Sequence, residues 1–82
     1  MSTYIVTGGA GFIGSAFVRK ALSLNDKIIV LDALTYSGYR QNLIEFEHMF
    51  GFEFVKGNIK DAALVASLFS KFQPDGVVNF AA

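Results

Sequence analysis

The sequence of 82 residues has no cysteine and no tryptophan, and only one proline and one histidine. The lack of cysteine excludes disulfides, thiol nucleophiles and cysteine-ligated metals, and it fits a reducing compartment such as the cytoplasm. The lone His48 lies beside Glu45 and Glu47, but no second histidine or acidic cluster has the spacing of metal ligands. We therefore expect a surface histidine and no metal site.

Net charge and long apolar runs are also lacking. Seven basic and seven acidic residues cancel, so no basic field attracts nucleic acid or an anionic membrane. No apolar run has the length of a membrane span, and no signal peptide is visible. Hydrophobic residues make up 52% of the chain, which is enough for the core of one small domain. We expect a domain that binds neither nucleic acid nor membrane.

The most informative motif present is the glycine-rich run from Gly8 to Gly14. It follows an apolar strand-like segment and leads into a helix-like segment, and both GxGxxG from Gly9 and GxxGxxG from Gly8 fit dinucleotide-binding fingerprints. A Cβ would block the tight turn and hold the backbone away from phosphate, while the N–H groups of the first helical turn attract an anion. No Gly-Lys-Ser/Thr follows, which excludes a P-loop. The alternative is a tight turn without a ligand.

Asp32 closes the second apolar run, near the usual offset of about 20 residues beyond the glycines. A carboxylate at the end of the second strand can accept hydrogen bonds from adenosine ribose hydroxyls, and it would repel a 2′-phosphate. The nearest downstream arginine is Arg40, so NAD is favoured over NADP. The alternative is a solvated aspartate that ends a strand. Ser15 either donates to phosphate or lies on an ordinary helix surface.

Strand-like and helix-like periodicity alternate along the whole chain. The pattern predicts strands at 3–7, 27–32, 52–56 and 76–81, and helices at 12–24, 41–50 and 62–72. In the first helix the predicted apolar face consists of Ile13, Phe17, Ala21 and Leu24. Gly51 is expected to end the second helix, and Asp61 is expected to cap the third.

This alternation predicts an α/β fold, a Rossmann-type doubly wound parallel sheet with strand order 3-2-1-4 and three helices. Right-handed crossovers place the first two helices on one face and the third on the other. The fourth strand would be a bare apolar edge. We therefore expect residues 1–82 to be the N-terminal part of an NAD-binding Rossmann domain, with the rest of that domain and a substrate domain absent from this chain.

Three segments carry a family resemblance. Residues 6–15, VTGGAGFIGS, resemble the opening of the extended short-chain dehydrogenase/reductases, the nucleotide-sugar epimerase and dehydratase group. Residues 31–38, LDALTYSG, and residues 73–82, QPDGVVNFAA, are similar to the matching parts of the dTDP-glucose 4,6-dehydratase family. The resemblance runs along the whole chain but covers only the front of such an enzyme.

The resemblance implies NAD as cofactor and assigns binding positions, with glycines under the diphosphate and Asp32 at the adenosine ribose. Asn58 stands beside adenine where the family usually has Asp, and its side-chain oxygen is expected to accept from the adenine amino group. The positions that match are Gly8, Gly11, Phe12, Ile13, Gly14, Asp32, Ala33, Leu34, Thr35, Asn58, Ile59, Phe80, Ala81 and Ala82.

The resemblance also implies a cytoplasmic, homodimeric lyase that acts on a nucleotide sugar. Such an enzyme removes a hydride from C4 of dTDP-glucose. It then eliminates water from the sugar across C5–C6 and returns the hydride to C6, which gives dTDP-4-keto-6-deoxyglucose. The family's Tyr-x-x-x-Lys pair is not in this sequence, because Tyr4, Tyr36 and Tyr39 have no lysine four residues later. We therefore assign no catalytic residue. The alternatives are a UDP-sugar 4-epimerase of the same family and a non-catalytic NAD-binding regulatory or interaction protein.

Overall fold

The structure is a computed structural model that describes residues 2–8, 11–33 and 39–80. Within these ranges the chain forms four strands, two α-helices and one 3₁₀ helix. In chain order they are β1 (Thr3–Thr7), α1 (Phe12–Ser23), β2 (Lys27–Asp32), the 3₁₀ helix (Tyr39–Phe46), β3 (Phe52–Lys56), α2 (Ala62–Phe72) and β4 (Gly76–Asn79).

The four strands form one parallel sheet in the order β3-β2-β1-β4. The predicted order is confirmed, and the first three strands have the predicted bounds. β1 lies in the middle, with Thr7 opposite Leu31 of β2 on one side and opposite Asn79 of β4 on the other. All carboxyl ends of the strands therefore meet at one edge, where parallel sheets bind ligands.

Alternating side chains of the strands point to opposite faces, and each face is covered by different helices. Even-numbered strand residues pack under α1 and the 3₁₀ helix, in a cluster of Val6, Val18, Ala21, Leu22, Ile28, Val30, Leu43 and Phe46. Odd-numbered residues pack under α2, in a cluster of Ile5, Ile29, Leu31 and Leu68. This division is the one that right-handed crossovers predict.

The predicted apolar face of α1 is wrong in part. Ile13 and Leu24 are 70% and 60% exposed. The buried residues are Gly14, Ser15, Val18, Ala21 and Leu22, and the helix ends at Ser23 rather than at residue 24. The predicted and the observed buried positions both recur at helical spacing, so hydrophobicity decides between them and favours the predicted set. The observed set begins with the small residues Gly14 and Ser15, which let the helix approach the sheet.

The segment between β2 and β3 also differs from the prediction. A 3₁₀ helix over Tyr39–Phe46 replaces the α-helix expected over 41–50, so the described chain has two α-helices rather than three. In a 3₁₀ helix, side chains three residues apart lie in one row, and this row places Leu43 and Phe46 in the core. Gly51 does not end a helix. It has φ of 94° and its carbonyl accepts from the N–H of Ile28, which leads the chain into β3.

An ion pair on the surface joins the 3₁₀ helix to α1. The Arg19 guanidinium donates to the Glu45 carboxylate and lies 5.8 Å from the ring centroid of Phe46. The hydrogen bond and charge of Arg19 hold the pKa of Glu45 below its ordinary value, and Glu45 raises the pKa of Arg19. Both side chains are about half exposed, so solvent screens the pair.

The last two elements follow the prediction closely. α2 has the predicted bounds, and the Asp61 carboxylate caps it by accepting from the N–H of Leu64 over 3.1 Å. β4 ends at Asn79, two residues before the predicted end. The N–H of Phe80 nevertheless still donates to the carbonyl of Thr7 over 2.7 Å, and Ala81 lies outside the described residues.

Neither α-helix in the described part of the chain is long and apolar enough to cross a membrane. The described residues also contain no group of three or more histidine, aspartate or glutamate side chains that could hold a metal ion.

Candidate functional site

The turn after β1 begins in a conformation that favours glycine. Gly8 has φ of 73°, a value that residues with a Cβ rarely adopt. Its N–H donates to the carbonyl of Leu31 over 3.3 Å, and its carbonyl accepts from the N–H of Gly11 over 3.1 Å. Gly9 and Ala10 lie outside the described residues. Gly8 therefore connects the end of β1 both to the end of β2 and to the start of α1.

The first turn of α1 offers backbone donors at the carboxyl edge. Gly11 is the N-cap, with φ of −73° and ψ of 173°, and as a glycine it has no side chain to cap the helix. The first bond of the helical ladder runs from the N–H of Ser15 to the carbonyl of Gly11 over 2.8 Å. The N–H groups of Phe12, Ile13 and Gly14 precede that bond, so they have no partner within the helix. Together with the helix dipole they suit an anion.

The side chains around this turn leave it open. Phe12 and Ile13 are 85% and 70% exposed, although both are large and apolar. Ser15 is buried, and its hydroxyl donates to the carbonyl of Phe12 over 3.0 Å. The hydroxyl proton of Ser15 is therefore engaged within the helix, and the alternative that Ser15 lies on an ordinary helix surface is wrong, because the residue is buried.

Asp32 is the last residue of β2 and lies at the same edge, half-buried. Its carbonyl accepts from the N–H of Gly57 over 3.1 Å, and the residue before it accepts from Gly8. The end of β2 is therefore held between the ends of β1 and β3. Ala33 follows, half-buried, whereas Leu34 and Thr35 lie outside the described residues.

The loop after β3 brings Asn58 and Ile59 to this edge, and both are exposed. The N–H of Lys60 donates to Oδ1 of Asn58 over 2.8 Å, and the N–H of Asp61 donates to the Asn58 carbonyl over 2.9 Å. Oδ1 of Asn58, the predicted acceptor for an adenine amino group, thus accepts one hydrogen bond from its own loop, and its second lone pair can accept another.

At the end of β4, Phe80 packs against Phe17 of α1 with ring centroids 5.6 Å apart. One strand position earlier, the hydroxyl of Thr7 donates to Oδ1 of Asn79 over 2.6 Å. Ala81 and Ala82 lie outside the described residues. Sequence reasoning missed the pair of Thr7 and Asn79. The signal was present, because each is a polar residue at the carboxyl end of an otherwise apolar strand.

The structure thus brings the described candidates to one edge of the sheet, in an order that follows the strands. The anion-binding turn lies at β1, Asp32 at β2, Asn58 at β3 and Phe80 at β4. This order matches an extended ligand with a negatively charged centre and hydroxyl groups beside it. The cofactor roles of the individual residues stay predictions.

A groove of about 820 Å³ lies elsewhere, at the amino ends of β2 and β3. Its lining includes Asp26, Lys27, Phe50 and Phe52. It contains none of the candidate residues, and ligands of doubly wound sheets bind at the opposite edge. We therefore place the candidate site at the carboxyl edge rather than in this groove.

Comparisons with known proteins agree with this fold. The family model described as GDP-mannose 4,6 dehydratase matches residues 5–82. A dTDP-glucose 4,6-dehydratase of Xanthomonas campestris is 51% identical over the whole chain, which spans 23% of that protein. The chain therefore spans about a quarter of the length of this relative.

Two solved structures are similar to the whole chain or nearly so. The dTDP-glucose 4,6-dehydratase of Bacillus anthracis, in complex with NAD, has a TM-score of 0.94 and 42% identity, with 100% of this chain and 27% of that chain covered. The Streptomyces venezuelae dTDP-glucose 4,6-dehydratase, with NAD and TYD bound, has a TM-score of 0.87 and 45% identity, with 98% and 26% covered.

Proposed function

Because this chain belongs to the GDP-mannose 4,6-dehydratase family, we propose that it is the N-terminal, NAD-binding part of a nucleotide-sugar dehydratase. The complete protein is proposed to convert dTDP-glucose to dTDP-4-keto-6-deoxyglucose and water, a lyase reaction of deoxysugar biosynthesis. The observation that carries the proposal is the single carboxyl edge that joins the glycine turn, the start of α1 and Asp32. The relatives named dTDP-glucose 4,6-dehydratase, two of them crystallised with NAD, support it.

The described residues fit NAD on two independent grounds. The left-handed Gly8 and the exposed first turn of α1 offer backbone donors for a diphosphate, without a side chain at Gly11 to obstruct them. Asp32 offers a carboxylate one strand away, where ribose hydroxyls can donate to it. In the proposal the N–H groups of Phe12 and Ile13 contact the diphosphate and Asp32 contacts the adenosine ribose.

When bound, NAD supplies a hydride acceptor that returns the hydride within the same turnover. This chain binds and orients that cofactor, and no tyrosine in it has the partner lysine of the family motif. The β1 and β4 ends border the crevice where we propose that the nicotinamide half lies, with Phe80 on its wall.

The finer parts of the proposal concern substrate, assembly and location. We propose a dTDP sugar because residues 31–38 are similar to the dehydratase segment after the second strand, and because the solved Streptomyces relative holds TYD. We further propose a homodimer, as the family resemblance implies. A cytoplasmic location is supported by the complete lack of cysteine in this sequence.

The test is an assay of the complete protein with NAD and, in separate reactions, dTDP-glucose and UDP-glucose. Formation of a 4-keto-6-deoxy product from dTDP-glucose supports the proposal. Interconversion of UDP-glucose and UDP-galactose without loss of water would instead establish the epimerase alternative. Tight NAD binding without turnover of either sugar would indicate the non-catalytic alternative, and a lack of NAD binding would refute the proposed site.

A further inference from the structure

Gly57 follows β3 directly and lies beside the end of β2. Its N–H donates to the carbonyl of Asp32 over 3.1 Å. A Cβ at this position would overlap the Cδ2 methyl of Leu64 and would lie 3.3 Å from Cδ1 of Leu31. Gly57 is not among the described glycines with positive φ, so space rather than backbone conformation requires glycine here. The missing Cβ leaves a notch at Gly57, and Leu64 of α2 fills it.

The backbone of Leu64 is held from both sides in the first turn of α2. Its N–H donates to the carboxylate of Asp61 over 3.1 Å, and its carbonyl accepts from the hydroxyl of Ser67 over 2.7 Å. The N–H of Asp61 in turn donates to the carbonyl of Asn58 over 2.9 Å, which connects the start of α2 to the loop after β3. The start of α2 therefore cannot move away from Gly57 without loss of its cap.

The side chain of Leu64 is held by packing as well. It is half-buried and packs against the core cluster between the sheet and α2, which consists of Ile5, Ile29, Leu31 and Leu68. Rotation of Leu64 away from Gly57 would take its methyl groups out of this cluster and leave a void. Both the helix and the leucine side chain thus resist displacement by an atom added at Gly57.

We propose that Leu64 is a positioning residue for the cofactor, although it does not contact the cofactor itself. By filling the notch at Gly57, it keeps the hydrogen bond from the N–H of Gly57 to the carbonyl of Asp32. That bond fixes the end of β2, and with it the Asp32 carboxylate that accepts from the adenosine ribose. The inference rests on the proposed function for the position of the ribose.

The test measures the dissociation constant of NAD for the complete protein by calorimetric titration, in single and double variants. Gly57→Ala should weaken NAD binding by about tenfold, the size of one lost hydrogen bond. In the Leu64→Ala background the same change should weaken binding by less than about threefold, because the added methyl takes the place of Cδ2. In the Asp32→Ala background the effect should also stay below about threefold, because the carboxylate that the change displaces is already absent.

Gly76→Ala is the matched control for an added methyl group. A Cβ at Gly76, at the amino end of β4, would lie 3.4 Å from Cδ1 of Tyr4, which is an ordinary contact. This variant should bind NAD as the wild type does, and a thermal melt of each variant checks that it is folded.

Three outcomes would contradict the inference. Gly57→Ala with the NAD affinity of the wild type would overturn it, and so would an equal loss of affinity in all three backgrounds, which indicates a general effect on the fold. If Gly57→Ala alone does not fold, a tenfold loss in the double variant relative to Leu64→Ala would overturn it as well. A wild type that does not bind NAD would instead refute the proposed function, and the inference with it.

Discussion

The hydroxyl of Thr7 donates to Oδ1 of Asn79 over 2.6 Å, and this bond joins β1 and β4 at the carboxyl edge of the sheet. The two residues are opposite each other in the parallel register, and the next backbone bond, from Phe80 to Thr7, continues the same contact. Thr7 is 2% exposed, so its hydroxyl depends on this partner rather than on water. The ends of β1 and β4, at the edge that carries the candidate site, are thus joined by a side-chain hydrogen bond as well as by backbone hydrogen bonds.

Thr7→Val should destabilise the complete protein by about 1 kcal/mol, because it removes the bond while it keeps the volume and the β-branch. Urea denaturation followed by circular dichroism measures the change. Thr7→Ser retains the hydroxyl and serves as the matched control for the lost hydrogen bond. Equal stability of the valine and wild-type proteins would show that the bond contributes nothing.

Gly11→Val should abolish NAD binding with little change in the content of secondary structure. Gly11 has φ of −73°, and a Cβ there would lie 3.4 Å from the carbonyl oxygen of Gly8, so the backbone can accommodate a side chain. The same side chain would hold a phosphate group away from the backbone. Calorimetric titration with NAD and circular dichroism measure the two quantities. Ala66→Val, at an exposed position of α2, is the control and should bind NAD normally. Unaltered NAD affinity in Gly11→Val would refute this placement of the diphosphate.

Asp32→Ala should weaken NAD binding by about 1.5–3 kcal/mol, the range for a lost hydrogen bond to a charged group. The same change should narrow the preference for NAD over NADP, because it removes the carboxylate that repels a 2′-phosphate. Titrations with both cofactors measure this. Asp75→Ala offers a comparison, since its carboxylate accepts from the N–H of Thr3 at the opposite edge of the sheet. An unchanged NADP-to-NAD ratio in Asp32→Ala would contradict the ribose role.

The pair of Arg19 and Glu45 should make a small contribution to stability that depends on pH. Arg19 lowers the pKa of Glu45 in the folded protein, so the contribution is present above the ordinary glutamate pKa and is lost as pH falls through the lowered value. The stability difference between the wild type and Glu45→Gln should therefore be positive near pH 7 and vanish in acid. Glu47→Gln, two residues further along at an exposed position, is the control. A difference that is constant across this range would show that the charge of Glu45 is not responsible.

The strands and α2 could be predicted from the sequence, whereas the packing of the other helices could not. The strands are short apolar runs, and the breaks at Asn25-Asp26 and Gln73-Pro74 show where β2 and β4 begin. Asp61 marks the start of α2. The 3₁₀ helix was missed because Leu43 and Phe46 are three residues apart, a spacing that both helix types share. The buried face of α1 was missed because Gly14 and Ser15 carry no hydrophobic signal.

The candidate site could be predicted to a similar degree. Glycine spacing and the offset of Asp32 follow from covalent geometry, since the fingerprint needs a turn, a helix start and a strand end. The hydrogen bond between Asn58 and Lys60 could not be foreseen, because an exposed asparagine can orient its amide in either sense. The same holds for Thr7 and Asn79, whose contact depends on the register of strands that are distant in sequence.

The position of β4 beside β1 has a consequence for how the chain acquires its shape. The contact between Thr3 and Asp75 and that between Thr7 and Asn79 each span 72 positions, so β1 can pair with β4 only after the residues between them have been synthesised. Such distant pairing carries a large loop-closure entropy and slows folding. During synthesis one side of β1 stays unpaired, and we expect the pairing of β1 with β4 to form only after the segment with β4 has left the exit tunnel.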